Sequence, residues 1–177
     1  MLIAQILNLL YNIVDRVYIA RIPEIGTAAL GAVGVCFPVI VIITAFSNLF
    51  GTGGAPLFSI ARGSGDQDRA RRILHTCYTL LTGCALVLMA VGLLFARPIL
   101  ALFGASDNAM QYALPYMTIY LLGTLPSMLT TGLNPFVNAQ GYVMVGMSSV
   151  VIGAVANLVL DPLFIFAFGM GVAGAAA

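Results

Sequence analysis

Two carboxylates in this chain, Asp15 and Asp161, are embedded in stretches otherwise apolar enough to cross a lipid bilayer. A charged side chain at bilayer depth costs at least ~2.5–3.5 kcal/mol, so such a residue is kept for a task. Asp161 follows Asn157 by four residues, which places amide and acid one above the other on a helix face. Pro162, next in sequence, has no N–H and clashes with the carbonyl of Leu158, releasing that oxygen from the helical ladder. Carboxylate, amide oxygen and freed carbonyl within one turn make an oxygen-rich niche suited to a hard cation such as Na⁺, or to a protonatable acid with its acceptor. In the first stretch, Gln5, Asn8, Asn12 and Asp15 recur at spacings of three, four and three, again one helix face, flanked by Tyr11 and Tyr18. Amides alone glue membrane helices together, but adhesion does not require an acid.

These residues need membrane helices to hold them, and the composition supplies them. The chain is 61% hydrophobic and 7% charged, with a mean hydropathy of +1.06. A soluble domain carries about 25% charged residues. Hydropathy gives five spans of the ~20 residues a bilayer requires, over about 2–20, 28–61, 73–95, 110–133 and 144–168. The expected fold is all-α, a polytopic membrane helix bundle of five transmembrane helices plus the start of a sixth in the small-residue tail after Gly169. The fourth span is unusually polar, with Tyr116, Tyr120, Thr124, Thr130, Thr131 and Asn134, and Pro115, Pro126 and Pro135 interrupt it. Broken, polar helices of this kind line cavities rather than face lipid.

Orientation follows from the arginines. Arg62, Arg69, Arg71 and Arg72 cluster between spans two and three, which the positive-inside rule assigns to the cytoplasm. The N-terminus is then cytoplasmic and the chain a multi-pass protein of the cell membrane. Asp15 and Asp161 come out at similar depth, roughly 8 and 10 Å below the outer edge at about 1.5 Å per residue.

Several functions are excluded. A net charge of +1 carries no electrostatic footprint for nucleic acid. The chain has no Lys, which rules out a P-loop reading of Gly51-Thr-Gly-Gly54 and Schiff-base chemistry alike. Cys36, Cys77 and Cys84 form no CxxC pair and read as small buried hydrophobes. Gly63-Ser-Gly-Asp66 matches the GxGD pattern of intramembrane aspartyl proteases, but its acid falls in a charged turn with no second acid at bilayer depth beside it. The sequence reads as no enzyme, and none of these patterns calls for a cofactor beyond a hard cation or a proton at the acid niche.

Gln5-Ile-Leu-Asn8-Leu-Leu-Tyr11-Asn12-Ile-Val-Asp15 resembles the first membrane helix of the multidrug and toxic compound extrusion (MATE) family. Ala29-Leu-Gly-Ala-Val-Gly-Val-Cys-Phe37-Pro38 is similar to its second helix, and Ala61-Arg62-Gly-Ser-Gly65 to its first cytoplasmic loop. The run from Asn157 through Asp161-Pro162 to Gly174 resembles its fifth helix and the start of the sixth. The resemblance implies one lobe of a twelve-helix antiporter that exports small, organic, cationic substrates against inward Na⁺ or H⁺. It implies Asp15, Asn157 and Asp161 as the coupling site for proton or Na⁺. It likewise implies a substrate cavity bearing Asn8, Tyr11, Asn12, Tyr116 and Asn134. The chain is then truncated before the end of helix six, and its partners are membrane lipid and a missing second lobe. Two alternatives stand beside this reading. A lipid-linked oligosaccharide flippase of the same superfamily would carry more cations in its central cavity. A non-transporting membrane scaffold would show no ion-dependent change when Asp15 or Asp161 is replaced.

Overall fold

The computed structural model describes residues 26–163, without the side chains of 26–29, 161 and 162. The expected first span, with Asn8, Tyr11, Asn12 and Asp15, lies outside the described residues, as does the end of the fifth beyond residue 163. Six helices and no strand are found among the described residues: α1 (Gly26–Gly63), α2 (Gln67–Leu94), α3 (Ala96–Leu102), α4 (Asp107–Leu122), α5 (Thr124–Ala139) and α6 (Val143–Pro162). Three described stretches are long and apolar enough to cross a membrane: Leu30–Gly63, Gln67–Leu94 and Val143–Leu160. They fall on the second, third and fifth expected spans.

The fourth span is crossed by two helices in series. Pro126 cannot donate to the carbonyl of Leu122, and the helix breaks there, with Gly123 between α4 and α5. Pro126 then sits in the first turn of α5, where a missing N–H costs nothing. Pro115 and Pro135 lie inside α4 and α5 and interrupt neither, contrary to the expectation of three breaks. Between the third and fourth expected spans, the stretch around Arg97-Pro98 forms the seven-residue α3, with Pro98 in its first turn.

Between α1 and α2 the chain turns through Gly65, whose φ of +80° suits a residue without Cβ. The Asp66 carboxylate accepts a hydrogen bond from the backbone N–H of Arg69 at 2.9 Å and caps α2. The acid of the protease-like motif is therefore a helix cap in an exposed turn.

The bundle is built around α1, which packs against α2, α4 and α5. Lipid tails are as apolar as leucine, so helices in a membrane are held by close packing and hydrogen bonds rather than by hydrophobic exclusion. Backbone meets backbone where α1 crosses α5. A Cβ on Gly51 would stand 2.6 Å from the backbone oxygen of Gly132, and one on Gly132 would stand 2.7 Å from Leu81 Cδ1 of α2. One turn earlier on α1, buried Ser47 donates its hydroxyl to the carbonyl of Met128 at 3.1 Å. On one side of this crossing the core is Ala32, Cys36, Leu81, Met117, Leu121 and Met128. On the other, Phe58 meets Phe136 edge to face, with ring centroids 5.6 Å apart.

Gly51→Val should therefore destabilise the bundle by about 1–3 kcal/mol, since the blocking atom is backbone and cannot swing away. Gly53 faces open space, and Gly53→Val should be far milder. Thermal unfolding in detergent checks this, and equal losses for the two variants would refute the crossing.

Candidate functional site

The Asn157–Asp161 niche is carried by the second half of α6. The helix continues through Pro162 to Leu163, whose φ of −66° and ψ of −48° are helical. Asn157 is exposed, and so is every residue from Val155 to Leu160. Among the described residues of α6 only Gly146 and Ala154 are buried, with Met147, Val150 and Val151 half-covered, because α6 packs on α5 alone to any extent among the described helices. An exposed amide on so apolar a helix cannot be left in hydrocarbon without losing its hydrogen bonds. It must look onto a polar space or onto a further element. Asp161 lies one turn beyond on the same helix, at the edge of the described residues.

Asn134 is placed differently. It is half-buried on α5, and its side-chain N–H₂ donates to the carbonyl of Gly146 at 3.0 Å and to Ser149 Oγ at 3.2 Å, both on α6. Its own Oδ1 accepts from Asn138 Nδ2 at 3.0 Å. Asn138 Oδ1 is buried without a hydrogen-bond partner and lies against Gly146, where any Cβ would strike it. Two amides and a glycine thus clamp the start of α6 to the end of α5. In this arrangement Asn134 joins helices, whereas the sequence placed it in a cavity wall.

Tyr116 belongs to the core, with 5% of its surface exposed, and stacks on Tyr120 with ring centroids 6.4 Å apart. Of the hydroxyls of the fourth span, those of Thr130 and Thr131 are exposed, yet all four threonines are satisfied close to home. Thr118, Thr124, Thr130 and Thr131 each donate to the carbonyl one turn earlier, at 2.8–3.3 Å. Back-bonding of this kind satisfies a hydroxyl within its own helix. Among the described residues of the predicted set, Asn157 is the exposed amide, whereas Asn134 is engaged between helices and Tyr116 is buried. Among the described residues no group of three or more His, Cys, Asp or Glu could hold a metal ion.

The MatE family model matches residues 1–163. The multidrug export protein MepA of Staphylococcus aureus (strain MRSA252) is 27% identical over 178 residues, which cover 99% of this chain and 39% of that protein. A FAD transporter of Shewanella oneidensis is 28% identical over 159 residues, 90% of this chain and 34% of its own length. Among solved structures, the outward-facing conformation of a multidrug resistance MATE family transporter of the MOP superfamily superposes with a TM-score of 0.91 at 27% identity. That match covers 99% of this chain and 38% of the other. The chain thus spans about two fifths of the length of the relatives it matches.

The clamp generates a test. Asn134→Ala removes two bonds between helices, each worth about 0.6 kcal/mol in a membrane. Amide hydrogen exchange over residues 143–150 should rise several-fold, while Thr130→Ala, which removes only a bond within α5, should leave that segment unchanged. Unaltered exchange in the Asn134 variant would refute the clamp.

Proposed function

The chain belongs to the MatE family of membrane transporters, and on that premise we propose that it forms the N-terminal lobe of a secondary active multidrug exporter. In this reading an inward flow of Na⁺ or H⁺ drives outward transport of small organic cations. Family members are transporters rather than enzymes, and their relatives here include multidrug export proteins.

The observation that carries the proposal is Asn157, an exposed amide on an apolar transmembrane helix, one turn ahead of Asp161. We assign Asp15, Asn157 and Asp161 to the coupling site, where Na⁺ or a proton would neutralise the acids. We assign Asn8, Tyr11 and Asn12 to the substrate cavity beside it. Tyr116 and Asn134 would touch a substrate only in a state of the lobe that uncovers them. The logic is competition for charge. Ionised acids hold a cationic substrate, and binding of the coupling ion removes that charge and favours release. The second lobe, outside this chain, would complete the path. The membrane would be the cell membrane, with the Arg62–Arg72 cluster on the cytoplasmic side by the positive-inside rule.

The alternative substrates of the superfamily carry phosphates, whether a flavin dinucleotide or a lipid-linked sugar. Such a cargo calls for cations along the path. Every Arg from position 26 on falls in 62–72 or at 97, at or near the ends of the helices, so the described spans offer a phosphate nothing in their interior. This favours cationic cargo.

In the assembled transporter, Asp161→Asn should reduce ion-driven efflux of a fluorescent organic cation to background while membrane insertion is retained, since losing a charge makes insertion easier. Asn157→Ala should weaken the dependence on Na⁺ or pH more than it weakens folding. Wild-type efflux with unchanged ion dependence in the Asp161 variant would refute the assignment.

A further inference from the structure

The end of the bundle opposite Asn157 holds a cleft that transport does not explain. It has a volume of about 380 Å³ and opens between the α1–α2 junction and the α5–α6 turn. Arg62, from the last turn of α1, and Arg71, from the second turn of α2, both line it, together with Phe58, Asp68, Gln140 and Tyr142. The Arg62 guanidinium carbon lies 5.8 Å from the centroid of the Phe58 ring, and Phe58 is itself buried against Phe136. A guanidinium over an aromatic face is held in place and remains free to donate its N–H groups.

The opposite wall is equally defined. Gly141 turns the chain at a φ of +90°, and the backbone N–H of Tyr142 donates to the carbonyl of Val137 at 3.3 Å, which fixes Gln140 and Tyr142 at the cleft. The charge balance favours an anion. Asp68 is the one acid among the lining residues, against two arginines, while Asp66 caps α2 and does not line the space. The helix turns that frame the cleft carry exposed apolar side chains, among them Leu57, Ile60 and Met144. A guest that suits both features has an anionic head and hydrocarbon tails.

We propose that this cleft binds the phosphate headgroup of an anionic phospholipid between Arg62 and Arg71, with Gln140 and Tyr142 as further hydrogen-bonding groups. Basic pockets between membrane helices accept phosphate headgroups in this way, and the planar fork of arginine matches phosphate oxygens two at a time. Four arginines lie near this end of the bundle, but only two of them line the cleft, and that distinction separates a site from a diffuse positive field.

The test is lipid retention by the chain in mixed detergent–lipid micelles, read by native mass spectrometry with phosphatidylglycerol as probe and phosphatidylcholine as the zwitterionic control. The wild type should keep one phosphatidylglycerol after phosphatidylcholine is stripped. The pair Arg62→Gln and Arg71→Gln should lower retention about thirtyfold, roughly fivefold for each arginine. The pair Arg69→Gln and Arg72→Gln, outside the cleft, should lower it less than fivefold. Asp68→Asn should raise retention, a gain that no folding defect can mimic. Millimolar inorganic phosphate should not displace the lipid. Equal losses for the two arginine pairs, no preference for phosphatidylglycerol, no gain from Asp68→Asn, or displacement by inorganic phosphate would each overturn the proposal.

Discussion

The contact between Gly51 and Gly132 is the constraint on which the rest of this bundle depends. A membrane offers helices no hydrophobic reward for meeting, so they hold together only where their surfaces fit closely enough for dispersion and short hydrogen bonds. Here α1 and α5 approach until a backbone oxygen occupies the place of a missing Cβ. Leu81 fills the space over Gly132 from the third side, so one crossing fixes three helices. Ser47 locks the register by donating to Met128 O one turn away. Both core clusters follow, one on each side of this point, and Phe136 can reach Phe58 only because the two helices are already this close.

Side-chain polarity within the spans divides by chemistry. Hydroxyls are short enough to bond the carbonyl of the preceding turn, and Thr44, Ser59, Thr79, Thr82, Thr118 and Thr130 all do so. They cost little in lipid and say little about function. An amide carries two donors and an acceptor, too many for its own helix to satisfy. Each amide in a span therefore points to a partner elsewhere. For Asn134 that partner is the neighbouring helix, and Asn138 donates in turn to Asn134 within α5. For exposed Asn157 it belongs to a space or element beyond the described helices, which is why this residue bears the functional argument.

How far the sequence could be read follows from the same physics. The long apolar helices are visible because hydropathy over ~20 residues is a strong signal, whereas the cap at Asp66 shows only in its hydrogen bond from the Arg69 N–H. Pro126 and Pro135 look alike in sequence. One breaks the helix and the other does not, a difference set by tertiary packing and by the adjacent Gly123. The α3 helix was missed because seven residues carry too short a period to register. For the site, the Asn157–Asp161 spacing needed only helix geometry. The engagement of Asn134 with Gly146, and the burial of Tyr116, rest on contacts between helices, which no local pattern encodes. The Arg62–Arg71 cleft draws its walls from three separate segments and was invisible for the same reason.

These findings meet in α6, which is supported unequally along its length. Its first turns are bound to α5 through Asn134, Ser149 and the close fit of Asn138 on Gly146. Its second half, with Asn157 and the approach to Asp161, is exposed over Val155–Leu160. A helix held at one end can change its tilt at the other while keeping the bonds that hold it, because a small rotation about the clamp moves the far end most. At about 1.5 Å per residue, Asn157 lies some 16 Å along the axis from Gly146, so a tilt of only a few degrees displaces it by about 1 Å. Neutralising an acid on that half removes the cost of bringing it against apolar surface, and the clamp leaves this as the part of the helix free to respond. Two amides thus act oppositely on α6: Asn134, reaching from α5, holds its start, and Asn157 stands on the half where the proposed coupling to an ion would act.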